Sequence, residues 1–285
     1  MSLRRRRALF PYLLLAPGLV WLIVFYLIPS LTQAYVSLWE GNLEEGYAFA
    51  WNWDTYSEVW DYREQFARSF GYAAVATLLA FLISFPLAYY IAFKSKRKNL
   101  LLLLIVLPFF TSYLVRTIAW QTILSDDGFV VDFLQTIGVL SDDGRLLATR
   151  TAVIAGITYN FLPFMALPLY VSLEKIDRRL IEAATDLYAS RVTAFRKVTL
   201  PLALPGIFAG SLLTFIPACG DFINAALLGT PRQYMIGNVI QNKYLVIQDY
   251  PEAAALSFIL MTFILIGIFV YARVLGARNL TEAAI

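Results

Sequence analysis

The chain has 285 residues, of which 59% are apolar and only 15% are charged, and its formal net charge is +3. Soluble domains carry about 25% charged residues, so this composition excludes a disordered chain and disfavours a soluble globular domain. The absence of histidine and the single cysteine, Cys219, exclude an internal disulfide, histidine-ligated metals and Ser-His-Asp or Cys-His catalysis.

Six long apolar runs follow one another along the chain, and each is close to the roughly 20 residues that cross a bilayer as an α-helix. The sequence therefore predicts an all-α integral membrane protein with six transmembrane helices in a single domain, 1–285. The first run is too long for a signal peptide, whose apolar core spans about 7–15 residues, so we expect an uncleaved first span. The predicted spans are about 10–37, 70–93, 100–124, 151–173, 202–221 and 253–272.

Charged residues are distributed unevenly between alternate loops. Placing the N-terminus in the cytoplasm puts 16 of the 23 lysines and arginines on the inner side, but only 5 of the 20 acidic residues. Because cytoplasmic segments are enriched in Lys and Arg, this split predicts that both termini are cytoplasmic. Each basic cluster adjoins a span, so topology explains the clusters and nucleic acid is not an expected partner. The clusters are Arg4–Arg7, Lys94–Lys98, Glu174–Lys197, and Arg273 with Arg278.

Two outer loops have distinct compositions. The first, about Glu40–Ser69, is acidic and aromatic, which fits either an aromatic belt with a short helix lying on the membrane or a landing surface for an extracytoplasmic partner. In the second, about 126–150, two Asp-Asp-Gly sequences predict tight turns, because glycine accepts a positive φ. Their spacing lacks the alternating oxygen ligands and late glutamate of an EF-hand.

The inner loop between the fourth and fifth spans, about 174–201, is the most informative segment. Asp177 is placed to cap a helix that ends near Leu187, and Ser190 is placed to cap a second helix that ends near Val198. The residues alone leave two alternatives open. One is a surface that docks into a groove on another protein, and the other is an amphipathic interfacial helix without a partner.

This loop resembles the EAA loop of binding-protein-dependent ABC importer permeases. The family pattern is Glu-Ala-Ala, three residues, glycine, nine residues and Ile-x-Leu-Pro. Residues 182–184 match the first element, and 198–201 match the last with valine in place of isoleucine. Tyr188 stands where the family has glycine, which would end the first helix in a left-handed turn at little cost. This departure leaves open whether the first helix ends in a left-handed turn, but it does not weaken the family resemblance.

The resemblance covers nearly the whole chain, and segments 228–231, 235–240 and 249–255 are similar to polyamine (spermidine/putrescine) importer permeases. It implies a type I importer fold in the bacterial cytoplasmic membrane, surrounded by lipid. A second permease subunit, two ATPase subunits and an extracytoplasmic substrate-binding protein would complete the importer. The residues implied to couple the chain to an ATPase are Glu182, Ala183, Ala184, Asp186, Leu187, Tyr188, Leu200 and Pro201.

The implied assignment of ATP hydrolysis to a separate subunit is consistent with the motifs of the chain. The sequence has no G-x-x-x-x-G-K-[ST], so we expect no enzyme activity and no cofactor on this chain, with ATP and Mg²⁺ bound by the partner ATPase. The alternatives are a permease of the same class for another small solute and, from a different class, an ion-coupled secondary transporter. The latter usually shows internal repeats and several buried ionisable groups. A membrane-embedded enzyme is disfavoured, because no acidic pair lies within a span.

Polar residues within or next to the predicted spans are candidates for the translocation pathway, because ionisable groups in a membrane are usually functional. Arg116 and Asp221 both lie toward the outer side, where they either pair with each other or serve the pathway. A carboxylate and an aromatic ring both attract ammonium groups. The candidates are Arg116, Tyr159, Asn160, Asp221 and Asn224.

Overall fold

A computed structural model describes residues 14–141 and 143–273. The predictions made for Arg4–Arg7, Asp142 and Arg278 lie outside these described residues. Five helices of the described chain are long and apolar enough to cross a membrane, or six if a bent pair of helices is counted as one span. The chain divides into two compact units. One holds the described residues up to Tyr62 with Ile240–Thr262, and the other holds Arg63–Val239 and the described residues from Phe263 onward.

The first unit begins with helix α1 (Leu14–Val36), none of whose apolar window is buried within the chain. An antiparallel hairpin follows, in which β1 (Trp39–Asn42) pairs with β2 (Gly46–Phe49), and then comes the short helix α2 (Asp54–Glu58). The hairpin was not expected from the sequence. Gly41 and Gly46, with φ of 131° and 85°, allow its tight connection, because residues with a side chain rarely adopt such angles.

The second unit is built around three long helices, α3 (Arg63–Phe93), α7 (Arg150–Glu174) and α9 (Arg191–Cys219). Alanines of α3 face the other two helices and are fully or almost fully buried, which lets the backbones approach closely. Helix α3 starts earlier than the predicted span at about 70. The remaining α-helices of the described residues are α4 (Lys98–Val106), α5 (Tyr113–Ile123), α6 (Phe129–Thr136), α8 (Arg178–Asp186), α10 (Ile223–Leu228), α11 (Ile236–Gln241) and α12 (Tyr250–Tyr271).

Two glycines of α9 allow this helix to pack closely against α7. A Cβ added to Gly206 would lie 2.4 Å from the Cβ of Ser172, and one added to Gly210 would lie 2.8 Å from the sulfur of Met165. An added Cβ at Gly206 would also lie 2.7 Å from the backbone oxygen of Pro168, so a side chain does not fit there. Gly206 and Gly210 are spaced as G-x-x-x-G, and their contacts show that this sequence serves close helix packing.

The third predicted span, about 100–124, is not one straight helix. The segments Lys98–Phe110 and Tyr113–Ile123 are bent by 95° relative to each other. Pro108 lies in a 3₁₀ turn that ends the first segment, and Thr111 and Ser112 adopt extended ψ angles of 152° and 140°. The length of an apolar run does not reveal such a break, because both halves of the run are apolar enough to lie in lipid.

The fifth membrane helix also differs from its predicted form. The helix capped by Ser190 does not end near Val198 but continues through a π-helical turn, Phe195–Thr199, into Leu200–Cys219. In this turn the N–H of Leu200 donates to the carbonyl oxygen of Phe195, five residues back. The wider turn falls just before Pro201, which has no N–H to donate, so the proline does not interrupt the helix.

The first Asp-Asp-Gly sequence does form a turn, but for a different reason from the one predicted. The N–H of Gly128 donates to the carbonyl oxygen of Ser125 at 2.8 Å, and the φ of Gly128 is −80°. An added Cβ would lie 2.3 Å from the carbonyl oxygen of Ile123. Glycine is needed here for close backbone approach and not for a positive φ.

Candidate functional site: an inner helical turn and a buried polar network

The inner turn begins with α8, which is capped as the sequence predicts. The carboxylate of Asp177 accepts a hydrogen bond from the N–H of Arg179 at 3.0 Å. It thereby satisfies one of the free N–H groups of the first helical turn. On the other side of the turn, the hydroxyl of Ser190 accepts from the N–H of Thr193 at 3.2 Å and starts the next helix. Both helix starts of the inner loop are therefore confirmed.

The end of α8 answers the question raised by Tyr188. This residue has a φ of 61°, which is the left-handed conformation that glycine would adopt at little cost. The N–H of Tyr188 donates to the carbonyl oxygen of Thr185, and the N–H of Ala189 donates to that of Ala184, at 3.0 and 3.1 Å. These two bonds form a Schellman motif. The turn therefore keeps the geometry of a glycine-ended helix with a tyrosine in the glycine position.

The surface of this turn is open. Glu182, Ala183 and Asp186 are exposed, and Ala184 is half-buried. Leu187 and Tyr188 are 82% and 99% exposed, which is unusual for large apolar side chains. Farther along, Leu200 is half-buried and Pro201 is exposed at the start of the membrane-crossing part of α9. A small-residue helix with an apolar tip suits docking into a cleft on another protein.

A second site is a buried hydrogen-bond network on the outer side of the second unit. The carboxylate of Asp221 accepts from the backbone N–H of Asn224 at 2.8 Å, from the Asn224 side chain at 2.9 Å and from the hydroxyl of Tyr113. The Asn160 amide donates to Asn224 and to Thr117, both at 3.1 Å. The network therefore joins α5, α7 and the segment that starts α10.

Arg116 lies beside this network without joining it. Of the two alternatives that the sequence left open, pairing with Asp221 is not found, because the ion pairs of the described residues do not include Arg116. The guanidinium instead lies over the ring of Phe109, 4.4 Å from its centroid, which replaces part of its lost hydration by a cation–π contact. Its Nε and Nη1 atoms are buried and have no hydrogen-bond partner in the described part of the chain.

The two candidates on α7, Tyr159 and Asn160, are adjacent in the sequence but lie in different surroundings. Tyr159 is half-buried and packs on Trp120, with ring centroids 5.3 Å apart. Asn160, the next residue, faces the network and is 1% exposed. The sequence analysis missed Tyr113 and Thr117. Tyr113 lies three residues before Arg116 and four before Thr117, and these spacings are the signal that would have pointed to Tyr113 from Arg116 and then to Thr117, since residues three or four apart share one helix face.

The outer segment before α12 contains an ion cluster that the sequence analysis also missed. Lys243 donates to the carboxylate of Glu252 and lies 3.9 Å from that of Asp249. Burial raises the pKa of Asp249 above its usual value, and the neighbouring Glu252 adds to this, while Lys243 acts in the opposite direction. The cluster ties the π-helical turn Asn242–Ile247 to the start of α12.

The long apolar helices, the broken span and the open inner turn define a multi-pass membrane transport subunit, and comparison with known proteins specifies its family. The family model described as "binding-protein-dependent transport system inner membrane component" matches residues 80–277. The chain belongs to this family, as the EAA loop indicated. It is accordingly a permease subunit of the inner membrane and not an enzyme.

Curated relatives and solved structures agree with this assignment. The chain is 40% identical over 256 residues, 89% of its length and 90% of the relative, to spermidine/putrescine transport system permease protein PotB of Haemophilus influenzae. It is 37% identical to PotB of Escherichia coli, over 89% of this chain and 93% of the relative. A bacterial ABC transporter structure for alginate import matches with a TM-score of 0.70 at 21% identity, covering 95% of this chain and 96% of that one. This last likeness shows the type I permease fold alone.

Proposed function

We propose that this chain is a permease subunit of an ATP-driven polyamine importer and forms half of its translocation pathway. The observation that carries the substrate class is the likeness to spermidine/putrescine permeases at 36–40% identity over 89% of the chain. The fold does not select a solute, because structural neighbours include transporters of alginate and of methionine. A permease for another small solute is therefore the second candidate.

The inner turn is the proposed contact with an ATPase subunit. Its exposed Glu182-Ala183-Ala184 face and apolar tip fit a cleft, and the sequence holds no nucleotide-binding loop of its own. ATP and Mg²⁺ would accordingly be bound by the partner. A second permease subunit, two ATPase subunits and an extracytoplasmic binding protein complete the proposed assembly.

The outer acidic residues would favour a cationic solute at the mouth. Segment 37–62 of the first outer loop contains six acidic residues and no basic residue. Asp221 acts differently in this conformation, because its carboxylate is buried and accepts three hydrogen bonds. We therefore assign Asp221 the role of holding α5 against α10. Direct attraction of an amine would require this network to open.

Variants that reverse or introduce a charge on the inner turn test the proposal. Glu182→Lys or Ala183→Asp should abolish ATP-dependent spermidine uptake and weaken retention of the ATPase on the purified importer, while the permease still inserts. Lys96→Glu, an exposed charge reversal on the inner loop before the third span, is the control. Uptake is measured with ion gradients collapsed, so a secondary transporter would be recognised by lost uptake in the wild type. Full uptake by both inner-turn variants would contradict the coupling assignment.

A further inference from the structure

The inner turn has a backbone that its own sequence does not favour. Tyr188 adopts a φ of 61°, which is unfavourable for a residue with a Cβ and neutral for glycine. The Schellman bonds around it show that the conformation is part of a regular helix end. A tyrosine at this place needs a reason outside the turn, because its side chain is 99% exposed and so packs on none of the residues that the structure describes.

The charges of α8 are likewise arranged against its own stability. Arg178 and Arg179 occupy the first turn, where the helix dipole favours acidic residues, and Asp186 ends the helix, where it favours basic ones. The position of Arg178 is explained by contacts within the chain, since its guanidinium donates to the carbonyl oxygen of Ala92 and lies over the ring of Phe93. The exposed acidic side chain of Asp186, next to the apolar tip, has no such explanation inside the turn.

These features together describe a contact surface of definite chemistry. Its centre is apolar, formed by Leu187, Tyr188 and Val192, which are 82%, 99% and 66% exposed. Its edge carries the exposed carboxylates of Glu182 and Asp186 on α8, and exposed Arg191 adjoins Val192. A protein cleft with an apolar floor and basic residues along the part of its rim that meets α8 is complementary to the apolar centre and to these carboxylates.

We infer that the Tyr188 ring is the anchor by which this permease selects its ATPase subunit, inserting into an apolar pocket of that subunit with a basic rim. The inference rests on the proposed coupling function and goes beyond it, because it assigns recognition to the tyrosine that stands in place of the family glycine. Buried aromatic residues at the centre of an interface commonly dominate its affinity.

The test uses the complete importer reconstituted in nanodiscs and measures the dissociation constant of its ATPase subunit. Tyr188→Phe keeps the ring and should bind like the wild type. Tyr188→Ala removes the ring but keeps the strain, and Tyr188→Gly removes both, so both variants should weaken ATPase binding about tenfold or more. Ala148→Gly is the matched control, because Ala148 also has a positive φ, 64°, in the second outer loop.

The outcomes separate the ring from the turn. Weakened binding for both Tyr188→Ala and Tyr188→Gly, with normal permease folding by thermal unfolding, supports the anchor. Binding that Tyr188→Gly retains would overturn it, since the turn alone would then suffice. Glu182→Lys is measured in parallel. If that variant loses the ATPase while Tyr188→Gly keeps it, the coupling function stands and only the anchor is refuted. If both bind normally, the coupling function itself fails.

Discussion

Replacement of Asp221 by asparagine tests whether the buried network holds the outer half of the broken span. Asparagine keeps the shape of the side chain but puts an NH₂ group where one carboxylate oxygen stood. If its remaining oxygen accepts from the backbone N–H of Asn224, its NH₂ group faces the Asn224 amide, another donor, which the carboxylate met at 2.9 Å. The hydroxyl of Tyr113 also loses the carboxyl oxygen to which it donates.

The expected cost follows from the bonds that change. A hydrogen bond to a charged group contributes about 1.5–3 kcal/mol, and two facing donors leave a buried group unsatisfied, so we expect a loss of about 2 kcal/mol in the free energy of unfolding. For a domain of this size, 1 kcal/mol shifts the Tm by about 2–4 °C, so the apparent Tm should fall by about 4–8 °C. Asp127→Asn, at an exposed carboxylate, should leave it unchanged.

Thermal unfolding in one detergent at a fixed scan rate measures this difference, and spermidine uptake per assembled complex separates the two roles of the residue. A structural role lowers the amount of assembled, active importer but leaves the KM of uptake unchanged. A direct role in attracting the amine raises KM without a change in Tm. An unchanged Tm for Asp221→Asn would show that the network does not hold the outer half of the span, and the reasoning above would be wrong.

Two further variants test the topology and the helix packing. After removal of Cys219, a membrane-impermeant thiol reagent applied outside intact cells should label Asp143→Cys and spare Arg97→Cys, and the reverse pattern would refute the predicted orientation. Gly206→Leu should lower the free energy of unfolding by about 3 kcal/mol or more, because the added side chain overlaps the facing helix. Gly267→Leu, where nothing lies within 4 Å of an added Cβ, should have little effect, and equal losses for the two would contradict the packing argument.

The inner turn shows how far local sequence signals reach. Asp177 and Ser190 could be identified as helix caps because a cap depends on a side chain and a backbone N–H only two or three residues away. The left-handed conformation of Tyr188 could not be deduced, since the family glycine suggested it while the tyrosine argued against it. The structure resolves the conflict by a Schellman motif, which is stabilised by backbone bonds that any residue can make.

The broken span and the buried network show where local signals end. Both halves of the third span are apolar, so hydropathy predicts one span and contains no information about a 95° bend between them. Pairing of Arg116 with Asp221 was one of two alternatives that the sequence left open, since opposite charges in a membrane attract. The pair does not form, because the partner of Asp221 depends on which side chains the bend brings near it, and Tyr113 starts the helix just after the bend.

The sequence by itself determined the class of this protein, its membrane spans in outline and the two helix caps of its inner loop. These properties depend on composition, on apolar length and on contacts between residues close in the chain, all of which are present before any folding. Only the tertiary structure decided where the third span bends, which groups donate hydrogen bonds to Asp221, and that Arg116 lies over Phe109. These properties depend on residues more than 100 positions apart or on backbone angles that several sequences allow, and packing alone selects among them.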